Sequence, residues 1–246
     1  MKRIYIGLTL FAAVSFSSCD VLTEIADTAM TTTGGAATGL TNDEVISGLK
    51  EALTVGINNG AGKASLTDGF LKNDLIKLPF PPDVVRVKEK LEGTSLGRAK
   101  VEEFEVAMNR AAELASKEAA PIFINAIKEM SIGDGFTILK GPDNAATSYL
   151  KDKTTAELTS KFSPIVQTAI DKVNVMSLWG KVTTAYNATT LLSGNDKVDT
   201  DLNKYITDRA ISGLFTLVAQ EELKIRKDPV ARVTDILKNV FGSLDN

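Results

Sequence analysis

From Thr41 onward every strong local signal in the chain is helical, and no segment alternates apolar and polar residues with period two for long enough to make a strand. Sheet architectures are thereby excluded and an all-α fold is expected. Thr41-Asn42-Asp43-Glu44 is a capping box, and Val45, Leu49, Ala52 and Leu53 recur at helical spacing until Gly60 and Gly62, which are expected to end the helix. Leu78-Pro79-Phe80-Pro81-Pro82 is barred from helix at its centre, because proline lacks a backbone donor and its ring collides with the preceding turn. It predicts a rigid elbow whose last proline opens the next helix. Phe104, Met108, Ala111 and Ala115 form the apolar stripe of a helix from about Leu96 to Lys117. Pro121 starts or kinks another, carrying Ile122, Phe123, Ile127 and Met130. Ser131 and Asp143 read as N-caps of two shorter segments, and Thr154-Thr155-Ala156-Glu157 as a second capping box, heading a helix that bends near Pro164.

The last third is the most regular. Ala210, Leu214, Leu217, Val218 and Ile225 line one face of a long helix from about Asp201 to Arg226. Asp228-Pro229 then supplies a cap and a first-turn proline for a final helix carrying Val233, Ile236, Leu237, Val240 and Phe241. No internal repeat is present, which argues against a solenoid.

The N-terminus is of a different kind. Lys2 and Arg3 precede an apolar run from Ile4 to Phe16, followed by Ser17, Ser18 and the chain's single cysteine, Cys19. A charged start, a short apolar run and a small-residue exit read as a secretory signal, too short to span a bilayer. With the cysteine directly after two serines, the pattern resembles a bacterial lipobox, in which Cys19 takes a diacylglyceryl thioether and becomes the mature N-terminus. Two or three acyl chains, at about 0.8 kcal/mol per buried methylene, anchor stably where one would not. The small-residue run from Thr31 to Gly39 reads as a flexible tether, and about 20 such residues reach roughly 25 Å r.m.s.. The expected organisation is a signal peptide at 1–18, a lipidated cysteine and tether at 19–39, and a single globular helical domain at 40–246.

Loss of residues 1–18 removes Lys2 and Arg3 and no acid, taking the net charge from −3 to −5. A mildly acidic body with scattered lysines is not built for nucleic acid. The absence of histidine excludes a Ser-His-Asp triad, a Cys-His pair and an imidazole-bound zinc, and no metal or cofactor is expected. Hydrolysis would have to rest on carboxylates, lysine or bound metal. Ser47-Gly48-Leu49-Lys50 fits S-x-x-K and Ser193-Gly194-Asn195 imitates a second element of the penicillin-binding enzymes. The third element is missing, since Lys153-Thr154-Thr155 lacks the glycine and precedes Ser193. Gly60-Ala61-Gly62-Lys63 is similar to a phosphate loop, yet Ile57 holds the first glycine's place and Ala64 replaces Ser/Thr.

Glu221 is the more telling residue. At about 100° per residue it falls in the middle of the Ala210–Ile225 stripe, where an unpaired charge is too costly to bury. It is expected to sit in a buried ion pair with an arginine, with Arg110, Arg209, Arg226 and Arg232 available, or else to face a cavity as a functional acid. An arginine-paired Glu221 should cost about 3–5 kcal/mol on truncation to alanine. A glycosidase would need a second carboxylate and aromatic platforms, and Trp179, the sole tryptophan, reads as core.

Several strings taken together resemble one bacterial family, domain of unknown function 4197. They are Met108-Asn109-Arg110-Ala111-Ala112-Glu113, Ala120-Pro121-Ile122-Phe123, Ala126-Ile127-Lys128-Glu129-Met130 and Ala145-Ala146-Thr147-Ser148-Tyr149. The C-terminal strings are Gly213-Leu214-Phe215, Ala219-Gln220-Glu221-Glu222, Ile225-Arg226-Lys227-Asp228-Pro229-Val230-Ala231-Arg232 and Val240-Phe241-Gly242. The chain departs from the family pattern at Gly135, where alanine is usual, and at Leu150, where phenylalanine is common. The resemblance implies a mostly helical, secreted or lipid-anchored envelope protein and carries no catalytic residue to transfer.

Three functions follow as expectations. The first is a non-catalytic, lipid-anchored domain on the periplasmic side of the inner or outer membrane, binding or supporting another envelope component. The second is a binder of an apolar small molecule or lipid, with an interhelical cavity lined by Phe104, Met108 and Ile127. The third is a carboxylate-based hydrolase, with Glu221 and another acid facing solvent.

Overall fold

The computed structural model describes residues 41–81, 85–172, 179–180, 183–184, 187, 201–232 and 234–242. Cys19, the tether, Pro82, Ser193-Gly194-Asn195 and Val233 lie outside the described residues, as do the side chains of Ile236 and Leu237. Leu40–Asn246 makes up one compact unit.

The first helix, α1 (Asn42–Ser65), begins where its capping box requires: the amide of Glu44 donates to Thr41 Oγ1 (3.3 Å) and that of Thr41 to Glu44 Oε2 (2.8 Å). It does not stop at Gly60 and Gly62 but runs through both. Glycine inside a helix costs about 1 kcal/mol against alanine, and here packing offsets that cost. A Cβ at Gly60 would stand 3.4 Å from the backbone of Leu217, and one at Gly56 3.6 Å from Glu221 Cβ. These glycines are contact points with another helix, not terminators. The same continuity removes the phosphate-loop reading, since Gly60–Lys63 is helical.

The connection after α1 turns at Asp68, whose φ of 69° lies in the left-handed region, and at Gly69, where a Cβ would meet the carbonyl oxygens of Lys63 (2.3 Å) and Ala64 (2.7 Å). Only glycine fits there. Then follow α2 (Val85–Glu92), α3 (Ser95–Ser116), α4 (Ala119–Glu129) and α5 (Ile132–Leu139). Thr94 caps α3 and Ser131 caps α5, the latter in a full capping box with Asp134.

Two long helices complete the bundle, α6 (Ala145–Lys172) and α7 (Leu202–Lys227). Thr154 does not cap a helix: it lies inside α6, buried, with its hydroxyl donating to the Leu150 carbonyl (2.6 Å). Nor does Asp143 cap α6; it pairs with Lys227 (3.1 Å). Pro164 is accommodated within α6, next to a polar cluster in which Asn203 of α7 donates to the Ser163 carbonyl (2.9 Å) and Gln167 (3.0 Å). After α7, Asp228 Oδ1 accepts from the Val230 amide (2.9 Å), Pro229–Ala231 make a 3₁₀ turn, and α8 (Asp235–Gly242) follows. The proline therefore opens that turn and not the final helix.

Among the described residues the fold is entirely helical, and α7 is its centre, packed against α1, α3 and α6. Its buried positions spread well beyond one stripe, taking in Ile211, Phe215 and Glu222 as well as Ala210, Leu214 and Leu217. A helix buried over so wide an arc has to lie inside the bundle. Phe70, Phe123 and Phe162 are fully enclosed around it. Phe80 of the proline elbow, Phe104 and Trp179 form an aromatic cluster, with centroids 5.0 Å apart for Phe80–Phe104 and 5.8 Å for the stacked Phe104–Trp179 pair. Aromatic packing thus fastens the elbow to α3.

Candidate functional site

Glu221 lies in the buried face of α7, its side chain 10 % exposed, and is ion-paired with Lys63 (2.7 Å) and Lys224 (3.0 Å). The partners are lysines and not the expected arginines. The sequence does not mark Lys63 as a partner, because Gly60 and Gly62 before it read as a helix end. The glycine face of α1 brings that helix close to α7, and the longer α1 carries Lys63 within reach of the carboxylate. Both lysines are more than half exposed, so they close over the acid from the solvent side. Burial raises the Glu221 pKa, but the hydrogen bonds from Lys63 and Lys224 outweigh it and hold the carboxyl below its ordinary value.

The arginines serve other acids. Arg226 pairs with Glu222, the next residue along α7, at 3.0 Å, and both side chains are nearly closed to solvent. Glu222 Oε1 also accepts from the Ala146 amide (2.9 Å), and Oε2 from the amide (2.8 Å) and hydroxyl (2.7 Å) of Thr147. These are the first amides of α6, which need an acceptor and favour negative charge. Arg226 in turn donates to the carbonyls of Ile138 (2.8 Å) and Leu139 (3.3 Å) at the end of α5, where positive charge is favoured. One ion pair thus caps two helix ends from a third helix. Arg232 donates to the carbonyls of Ile225 (3.1 Å) and Arg226 (2.9 Å) and stands over the Phe241 ring.

Arg110 belongs to a third cluster, on α3. It donates to Glu113 (2.6 Å) and Asp68 (2.6 Å), while Glu113 Oε1 accepts from the amides of Phe70 and Leu71, each at 3.2 Å. The hydrogen bonds to Glu113 and then Asp68 raise the Arg110 pKa; those from Lys72 and Arg110 lower that of Asp68. Asn109 takes both backbone groups of Leu78, accepting from its amide (2.8 Å) and donating to its carbonyl (3.0 Å). Asn109 and Glu113 therefore fix the connection that carries the elbow. Glu222 sits at the edge of the α7 stripe, whereas Asn109 and Glu113 lie about 130° and 170° round α3 from the centre of the Phe104–Ala115 stripe, on the side that periodicity assigns to solvent; the one signal for all three is their presence in the strings Met108–Glu113 and Ala219–Glu222.

Glu113, Glu221 and Glu222 accept from backbone amides, a hydroxyl, arginines or lysines, an arrangement suited to holding helices in place. Among the described residues no group of three His, Cys, Asp or Glu side chains could hold a metal ion. Ser47 is exposed, and the Lys50 ammonium donates to the Lys128 carbonyl (2.9 Å). Phe104, Met108 and Ile127 are buried in the core, not spread along a cavity. The described surface carries an apolar groove of about 920 Å³ between α3 and the end of α6, and a smaller polar depression around Ser163 and Asn203.

Residues 39–242 match the family described as "Protein of unknown function (DUF4197)", and the chain belongs to that family. No curated protein and no solved structure matches the chain.

Proposed function

We propose that this member of the family is a lipid-anchored cell-envelope domain, held through Cys19 on the periplasmic side of a membrane, that binds or supports another envelope component without catalysing a reaction. The observation that carries the non-catalytic reading is the closed core: the residues that would line a ligand cavity are buried together, and Glu221 is covered by two lysines. A hydrolase would need a solvent-facing pair of acids, and the buried acids are instead committed to amides and cations. The anchoring part rests on the basic start, apolar run and Ser17-Ser18-Cys19 of the sequence. No described helix is long and apolar enough to cross a membrane.

Cys19→Ser tests this reading. The variant is expected to leave the membrane fraction while its circular dichroism stays helical, because the capped core begins at Thr41. Persistent membrane attachment of the variant overturns the lipoprotein reading.

A further inference from the structure

The groove between α3 and α6 has a sequence pattern that suits one occupant. Counting about 100° per residue from Arg110, the residues Ala99, Glu103, Val106, Leu114 and Lys117 all fall within about 40° of it and make one outward stripe of α3. Leu114 is 46 % exposed, unusual for a leucine on a charged helix, and Ile165 and Ala169 of α6 supply the opposite apolar wall. The stripe is acidic in its first half and basic in its second. Glu103 lies seven residues before Arg110, Lys117 seven after; Val106 lies four before and Leu114 four after.

We propose that this face is an interface with a second copy of the chain, formed by two α3 helices packed antiparallel about a two-fold axis at Arg110. A two-fold interface brings residue i against j and j against i, so every favourable contact occurs twice. Glu103 of each copy then faces Lys117 of the other, and Val106 packs beside the other copy's Leu114. The small residues Ala99 and Ala169 leave room for close approach. The self-facing Arg110 does not repel its mate strongly, since Glu113 and Asp68 of its own chain already neutralise it. Glu102 and Glu118 lie about 80° to opposite sides of the stripe and stay clear of one another. The exposed pairing of Glu103 with Lys100 (2.6 Å) is a weak competitor. The interface goes beyond the scaffold reading and does not require the lipid anchor, so fractionation of Cys19→Ser and the experiment below fail independently.

A photo-crosslinking residue, p-benzoylphenylalanine, in place of Leu114 in the full chain in cells reads the contact directly; Ile132, also about half exposed but on α5, is the control position. The expected product at position 114 has twice the chain's mass and is absent at position 132. Glu103→Lys and Lys117→Glu should each lower its yield about five-fold, because one attraction becomes a repulsion at two symmetric places. Combining them should restore it. A product of another mass, a lipid adduct, equal dimer at both positions, no product, or failure of the double reversal to restore the yield each overturns the proposal.

Discussion

Glu221 and Glu222 are neighbours on one helix, both buried, both ion-paired, and yet they hold the molecule together in different ways. Glu221 is met by two lysines whose ammonium groups reach it from solvent and can return there. Glu222 is met by an arginine whose own side chain is nearly closed to solvent and by backbone amides that have no other acceptor. The first arrangement neutralises a charge at the rim of the core; the second joins the ends of α5 and α6 to α7. Burial alone therefore does not rank two acids: what each partner does when the acid is removed decides the cost.

The largest effect is expected for Glu222→Ala. It strands the Arg226 guanidinium and the first amides of α6, and urea unfolding should show a loss of about 3–5 kcal/mol. Glu222→Gln keeps an acceptor for one amide and should lose less. Glu221→Ala should lose only about 1 kcal/mol, since Lys63 and Lys224 turn to water. This is well below the figure that an arginine partner implied. If the two alanine variants lose equally, the distinction drawn between the neighbours is wrong.

Acid sharpens the same contrast. The Glu221 pKa is lowered in the folded state, so its contribution is fully present above the ordinary value of 4.5 and is lost as pH falls through the folded value. Glu221→Gln should accordingly be less stable than the parent at neutral pH and converge with it in acid. With no histidine to titrate, the parent's stability should stay flat between about pH 6 and 9. A step near pH 6.5 in urea midpoints would contradict this.

The glycines of α1 give the smallest effects and test why Lys63 reaches α7 at all. A Cβ at Gly62 meets nothing within 4 Å, so Gly62→Ala should stabilise by about 0.5–1 kcal/mol through helix propensity. At Gly60 the Cβ would press on the backbone of Leu217, so Gly60→Ala should gain none of this. Thermal unfolding of the pair separates a packing glycine from a tolerated one.

The helical class and several boundaries were legible because they depend on local chemistry. Thr41 and Ser131 cap helices through side chains three residues from their targets, and the Phe104–Met108 stripe is a matter of spacing. What was not legible depends on contacts far along the chain. Gly60 looks like a stop until Leu217 is set against it, and Thr154 looks like a cap until its hydroxyl is found bonded one turn back. Stripe arithmetic marked Glu221 as buried but could not name Lys63, 158 residues away, and it passed over Glu222 because an edge position reveals nothing of the helix ends it meets. The candidate site was therefore half readable: the acid from its period, its partners only from the packing.

The most direct test of this account is a pair of double-mutant cycles in urea, one for Glu222 with Arg226 and one for Glu221 with Lys63. The account predicts a coupling of about 2–3 kcal/mol for the first and under about 1 kcal/mol for the second. Equal couplings, or a larger one for Glu221 with Lys63, would contradict it.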